Sequence, residues 1–244
     1  MTTPRTRARS FDAVASRYAA YRPGYPDALF DALEESVGRP LEGARVADVG
    51  AGTGIASGPL SARGADVVAV EPGDGMAAEF RRAHPRIPLV RGDGNRLPLV
   101  TGGFDILTYA QAWHWTDPAL AVPEARRVLR PGGALALWWN DTDPTVPWVA
   151  EQDARIAALF GADGSATFRA LPPGPAFTTR RIRWSRRIPL DSHLANHATH
   201  SAFLMLGESG TRAFMDAERA RLAAVFPDGV VEERYVVGLS VALL

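Results

Sequence analysis

Val46-Ala47-Asp48-Val49-Gly50-Ala51-Gly52-Thr53-Gly54 carries a short β-rich segment straight into a turn with three glycines. Residues 44–49 have the apolar, β-branched character of a buried strand, and residues 55–63 read as a helix that Gly64 ends. The glycines therefore sit where a strand hands over to a helix N-terminus. Glycine tolerates positive φ and bares its N–H, and a helix start offers unpaired donors, so a ligand with a carboxylate or other anionic group can approach the backbone there. The dinucleotide fingerprint G-x-G-x-x-G needs glycine in its sixth position. Here that position is Ile55 and the glycine falls one residue early, at Gly54, which disfavours NAD and with it a nicotinamide oxidoreductase.

Outward from the turn, residues 65–70 read as the next strand, 74–83 as a helix, 88–90 and 104–109 as strands, 118–129 as a helix and 134–139 as a strand. Strands separated by helices imply a parallel, doubly wound sheet. Upstream, residues 11–33 place apolar residues at helical spacing around Arg22-Pro23-Gly24-Tyr25-Pro26, which predicts two short helices about a turn. Downstream come a helix over 149–159, a Gly/Pro-rich stretch near 172–175, a strand over 179–190 and helices over 193–206 and 211–226. A closing β-rich run over 230–241 is placed to add an antiparallel strand at the sheet edge. Arg180, Arg181, Arg183, Arg186 and Arg187, set around Ile182 and Trp184, look like the charged face of an edge strand and are assigned no site.

Two acids follow the turn in register. Glu71 ends the second strand roughly 20 residues on, where doubly wound nucleotide folds place a carboxylate that accepts from ribose hydroxyls. Asp93, in Arg91-Gly92-Asp93-Gly94-Asn95, ends the third strand on the same edge, suited to accept from an adenine amino group. Any one such acid is usually a solvated strand end; the three strand-end features together make a site.

On these residues the chain resembles the class I S-adenosylmethionine-dependent methyltransferases. The resemblance rests on the Val46–Gly54 segment, Val70-Glu71-Pro72 with Met76, Gly92-Asp93, Phe104-Asp105, and Arg127-Val128-Leu129-Arg130-Pro131-Gly132-Gly133. Gln111-Ala112-Trp113-His114-Trp115, and the opening Phe11-Asp12 with Tyr18, Tyr21, Arg22-Pro23 and Tyr25-Pro26, look like the subgroup holding aconitate-type and other small-molecule enzymes. The resemblance implies a Rossmann-like α/β fold: a mostly parallel seven-stranded sheet with an antiparallel edge strand, helices on both faces and an N-terminal helical lid. It implies one unit over 1–244, with 1–40 as cap, 41–140 as cofactor-binding core and 141–244 as substrate-side insertion and last strands. Gly50 and Gly52 would line the amino-acid half of S-adenosylmethionine, Glu71 hold its ribose, Met76 pack on adenine and Asp93 bind the adenine amino group. Asp48, Ala51, Gly54, Pro72, Gly92, Gly94, Gln111 and Ala112 complete the implied cofactor site. Gly94-Asn95 departs from the Ala-Glu of many relatives, which would loosen the adenine side.

The implied chemistry is direct displacement of the methyl group onto an O, N or C atom of a small acceptor. A sulfonium already activates that methyl, so the protein chiefly aligns the nucleophile and excludes water. His114, after the fourth strand, is placed to serve as a base, or else packs between Trp113 and Trp115 as part of the pocket floor. Tyr18 and Tyr21 with Arg22 form either a lid with a carboxylate clamp or a plain packing helix. Trp113, Asn140 and His200 are the remaining substrate-side candidates. His193, His197 and His200 share a helix face, but with no carboxylate to complete a metal set they read as pocket contacts or, more simply, a solvated face. Asn140-Asp141-Thr142-Asp143 reads as a polar loop rather than a Mg²⁺ site.

Composition narrows the rest. Of 244 residues, 46% are hydrophobic and 22% charged, as in a folded domain, and 27 acidic residues balance 27 basic ones, which leaves no field for nucleic acid or an anionic membrane. There is no cysteine, and every basic side chain besides histidine is arginine. Disulfides, thiolate metal sites, Schiff bases and a P-loop lysine are thereby excluded. No apolar h-region follows the first ten residues, so the expected setting is the cytoplasm, with no metal, a small-molecule partner and an open oligomeric state. A relative that uses the same fold for cyclisation, or only for binding, is the alternative.

Overall fold

The computed structural model describes residues 15–160 and 170–244, with Ser201 by its backbone alone; Phe11 and Asp12 lie outside the described residues. Two helices, α1 (Ala15–Tyr21) and α2 (Asp27–Val37), precede the sheet. They are separated where Pro23 and Pro26 remove backbone donors. Then follow β1 (Arg45–Val49), α3 (Ser57–Ala62), β2 (Asp66–Glu71), α4 (Asp74–Ala83), β3 (Leu89–Arg91), β4 (Phe104–Ala110), a 3-10 turn (Trp113–Trp115), α5 (Pro118–Val128) and β5 (Leu129–Thr142). The chain closes with α6 (Pro147–Phe160), β6 (Thr178–Pro189), α7 (Leu190–Ala198), α8 (Ser201–Val225) and β7 (Val230–Leu243).

The seven strands form one sheet in the order β3-β2-β1-β4-β5-β7-β6. β1 to β5 are parallel neighbours, and β7 enters antiparallel between β5 and β6. The added antiparallel strand thus lies one place inside the edge, and the arginine-rich β6 is the edge. From β1 the chain first builds β2 and β3 to one side and then crosses to β4 on the other, so the crevice above β1 and β4 is the topological switch point, where open α/β sheets bind ligands.

Both sheet faces are covered, which explains the near-continuous apolar strands. Val46, Ile106, Ala136, Trp138, Val237 and Leu239 pack under Leu29, Phe30 and Leu33 of α2 and Leu60 of α3. Ala47, Val49, Leu107, Tyr109, Leu135 and Leu137 pack under Ala121, Ala125 and Val128 of α5. A separate cluster joins Leu190 and Leu194 of α7, Phe203, Met215 and Leu222 of α8 and Val231 of β7, with Trp148 and Ile156 of α6 against it.

Three expectations shift. β5 extends well past residues 134–139 because the long β7 pairs along it, from Ala134 with Leu243 to Thr142 with Tyr235. Asn140, Asp141 and Thr142 are therefore strand residues and not a polar loop. The helical stretch expected over 193–206 breaks at Thr199–His200, where His200 takes extended dihedrals ahead of α8, while the second expected boundary survives as a kink at Gly207 (φ 81°, ψ 169°).

Candidate functional site

The turn after β1 is held from both sides. Gly50 and Ala51 donate to the Val70 carbonyl of β2 at 2.8 and 3.1 Å. Gly50 has φ 69° and Gly52 φ 57°. A Cβ on Gly50 would come within 2.5 Å of the Cβ of Ala112, so this glycine serves both the turn and the close approach of the segment after β4. Glu71 accepts from Gly52 N–H at 2.8 Å and from Gly73 N–H at 2.6 Å, tying the glycine turn to the start of α4.

Asp48 lies beneath the turn, fully buried, and accepts from Ser57 Oγ at 2.5 Å and Thr108 Oγ1 at 2.9 Å. Burial pushes its carboxyl above the usual range, against the opposing pull of those two hydroxyls. Gly54, at φ 92°, faces the ring of His84, which a Cβ there would overlap. His84 also packs on Gly58, and burial lowers its pKa although a bond to the Gly54 backbone works the other way. Gly54 thus makes room for a side chain from the end of α4, and only Gly50 and Gly52 face the crevice.

On the other acids' side, Met76 is buried in α4, and the Pro72 carbonyl accepts from Arg91. Gly92 packs against Pro98 and Val70, and Asp93 accepts from Asn95 N–H at 2.8 Å. Gly94 leaves no space beside Thr116 and Tyr109, and Asn95 Oδ1 accepts from Asp117 N–H at 2.7 Å. The Gly94-Asn95 departure is therefore anchored to the segment before α5, where the sequence alone suggested loosening.

Opposite the turn, Gln111 follows β4 with φ 53°, the one non-glycine positive φ among the described residues, and its N–H donates to Trp138 O at 2.8 Å. Such outliers cluster at ligand sites. Ala112 and Trp113 are buried, Trp113 edge-on to Tyr109 at 4.8 Å between ring centres. His114 lies in the 3-10 turn with its ring 4.5 Å from that of Trp115.

An open crevice joins these parts, lined by Gly50, Gly52, Thr53 and Gln111 on the sheet side and by Tyr18, Arg22 and Tyr25 on the other. His114, Glu71 and Asp93 are not in its lining. Helix α1 packs against both α4 and α7, which bracket the crevice. Ser16 Oγ donates to Glu79 at 2.7 Å, Arg22 Nε donates to Thr199 Oγ1 at 3.0 Å, and Arg186 donates to the Tyr21 carbonyl at 3.0 Å. Of the N-terminal candidates, Tyr18 and Arg22 reach the cavity, and Tyr21 acts through its carbonyl. Tyr25, quoted in the sequence only as part of a motif, is edge-on to Trp138 at 5.9 Å and closes the same wall.

Beyond the cavity the ends of β5, β6 and β7 meet α7 in a polar network. Asn140 Oδ1 accepts from Trp184 Nε1 at 2.9 Å, Trp184 stacks on Tyr235 at 5.1 Å, and Tyr235 donates to Glu233 at 2.8 Å. Arg186 Nε donates to the same carboxylate at 2.5 Å, and His193 Nδ1 lies 2.7 Å from its other oxygen. His193 Nε2 faces Gln152 Oε1 at 3.1 Å, and the Gln152 amide is oriented by donating to Glu218 at 3.2 Å. Both nitrogens of His193 thus face side-chain oxygens, one of Glu233 and one of Gln152. Burial alone would raise Glu233, but His193 and Arg186 outweigh it and bring its pKa down to about 2. His197 rests edge-on to His193 at 4.6 Å, and His200 stacks on His197 at 5.3 Å. Burial, then the charge of His193, brings His197 down to about 3; burial and Arg22 likewise hold His200 far below its ordinary range.

The expectation of a solvated histidine face with no carboxylate is thereby corrected. His193 and His197 are buried, and Glu233, 40 residues away from His193, completes the cluster. Among the described residues no group of three or more His, Cys, Asp or Glu side chains is arranged to hold a metal ion.

The family Methyltransferase domain matches residues 47–137, from β1 to β5. An uncharacterized methyltransferase of Mycobacterium tuberculosis is 40% identical over 179 residues, covering 72% of this chain and 70% of that protein. The chain belongs to the class I S-adenosylmethionine-dependent methyltransferase family. A demethylmenaquinone methyltransferase of Beutenbergia cavernae is 41% identical over 109 residues, covering 44% of this chain and 45% of that protein. Among solved structures, a putative type II methyltransferase from Anaeromyxobacter dehalogenans superposes with TM-score 0.70 at 27% identity over 91% of this chain and 98% of that one. In this methyltransferase the domain match ends at residue 137, before the histidine cluster.

Proposed function

We propose that this methyltransferase binds S-adenosylmethionine above β1 and β4 and methylates a small molecule admitted beneath α1. One observation carries the reading: a positive-φ glycine turn at the switch point faces a cavity whose opposite wall is the N-terminal helix. The residues suit that cofactor, because Gly50 and Gly52 bare the backbone to its amino-acid half while Glu71, Met76 and Asp93 stand along the sheet edge for ribose and adenine. When bound, the cofactor supplies a methyl group already activated by a sulfonium. The chain then has to position the acceptor and exclude water. Tyr18, Arg22 and Tyr25 cover the cavity. Trp113, His114, Asn140 and His200 are assigned to the acceptor side, with His114 as base only where the accepting atom must lose a proton.

Calorimetric titration with S-adenosylmethionine and S-adenosylhomocysteine tests this. Micromolar binding is expected in the wild type, with at least a tenfold loss in Glu71→Ala; a wild type that binds neither compound overturns the assignment.

A further inference from the structure

The cavity wall contributed by α1 carries a charge that no carboxylate among the described residues balances. Arg22 donates through Nε to Thr199 Oγ1 at 3.0 Å and sits over the Tyr18 ring at 4.7 Å, and among the described residues no carboxylate pairs with it. The C-terminal end of α7 at Thr199 offers only the fraction of a charge that a helix end carries. Beyond Arg22 the rings of His200, His197 and His193 follow one another in contact, and burial holds His197 and His200 neutral. The single carboxylate of this cluster, Glu233, is already shared by Arg186, His193 and Tyr235. Among the described residues the region therefore sets Arg22 and Arg186 against Glu233, and Arg22 has no acid of its own.

Polar atoms around it also lack partners. Among the described residues His197 Nδ1, Asn140 Nδ2 and Asn196 Oδ1 are buried without a hydrogen-bond partner, and the Asn196 amide nitrogen lies 3.5 Å from Tyr235 OH. His197 and Asn196 are each more than nine-tenths buried. Leaving a buried polar group unmet is costly, and a bound ligand is one partner that removes the cost.

We propose that the methyl acceptor is an anion, seated by a carboxylate or equivalent oxyanion against Arg22 and the imidazoles of His200 and His197. The planar guanidinium offers its terminal N–H groups as a fork. A neutral imidazole adds an N–H without requiring a counter-ion, and Asn196 Oδ1 is left to accept from a hydroxyl or amine elsewhere on the acceptor. This assignment rests on the cofactor reading above, since the acceptor must face the bound cofactor across the same cavity.

The test uses full-length protein saturated with S-adenosylhomocysteine and titrated with sodium formate, a carboxylate too small to be excluded by shape, with sodium chloride holding ionic strength and formamide as the uncharged counterpart. Ring ¹⁵N resonances of His197 and His200 provide the readout. Saturable shifts with formate and none with formamide are expected. Arg22→Gln should weaken formate at least tenfold, Arg22→Lys, which keeps the charge but not the fork, should fall between it and wild type, and Arg96→Gln, on the exposed surface beyond β3, should leave it unchanged. Thermal melting of each variant separates loss of the seat from loss of the fold. Non-saturable formate shifts, equal response to formamide, or full retention in a folded Arg22→Gln overturns the anion seat. Failure of S-adenosylhomocysteine to bind wild type overturns the cofactor reading instead.

Discussion

Asp48 illustrates how a motif residue can serve a ligand site without touching it. Its carboxyl receives hydroxyls from Ser57 and Thr108 beneath the turn, with no cation beside it, and burial raises its pKa. A carboxyl whose folded pKa is raised contributes stability that is present below the unfolded value of 3.8 and lost as pH rises through the folded value. Asp48→Asn, which retains one acceptor and cannot ionise, should gain stability relative to wild type between pH 4 and pH 8 in urea unfolding. A difference that stays constant across that range would show the carboxyl to be ionised throughout. For His114 the position beside Trp115 and outside the cavity lining makes packing the sharper expectation. His114→Ala should lower kcat by less than tenfold with an acceptor that has no proton to lose, and by about 10²–10⁴-fold if the residue is a general base.

At the scale of elements, α1 has no strand of its own and is fixed by bonds to three other parts of the fold: Glu79 of α4, Thr199 after α7 and Arg186 of β6. Removal of residues 1–25 should weaken S-adenosylhomocysteine binding at least tenfold while far-ultraviolet circular dichroism keeps the sheet signal; unchanged affinity would reduce α1 to a packing helix. The strand–turn–helix alternation from β1 to β5 was legible because each step is local: the apolar run, the glycines and the helix stop at Gly64 all lie within a few residues of the element they define. The length of β5 was not, since Asn140 to Thr142 become strand only through pairing with β7, nearly 100 residues later. The partner of His193 was hidden for the same reason, and Glu233 looked like an ordinary charge in a terminal strand. His84 had no local signal either; its clue was the third glycine of the turn, Gly54, where a Cβ would overlap the His84 ring.

For the molecule as a whole, the buried cluster around Glu233 sets the response to acid. Glu233, held to about 2, contributes stability fully present above its unfolded value of 4.5 and lost as pH falls through the lower value. His197, kept neutral between His193, His200 and Arg22 with Glu233 nearby, takes up its proton only near pH 3 when folded. It contributes stability that is fully present above 6.5 and erodes as pH falls toward 3. Chemical unfolding should therefore weaken first between pH 6.5 and 4.5 through the histidines and more steeply below 4.5 through Glu233. His197→Asn should flatten the upper part; an unchanged slope there would mean that His197 is already charged in the fold.

The position of β7 between β5 and β6 has a consequence for how the chain assembles on the ribosome. β6 is synthesised before the strand that will hold it, and its place in the sheet does not exist until β7 has entered beside β5. The five parallel strands can close around the glycine turn while synthesis continues, because each is laid against one already made or against the next to follow. The polar network that joins β5, β6, β7 and α7 has no such intermediate form. A nascent chain can thus form the β1–β5 part of the sheet before β6 has a place in it, and until β7 arrives the border of β5 and the arginine-rich β6 are unpaired.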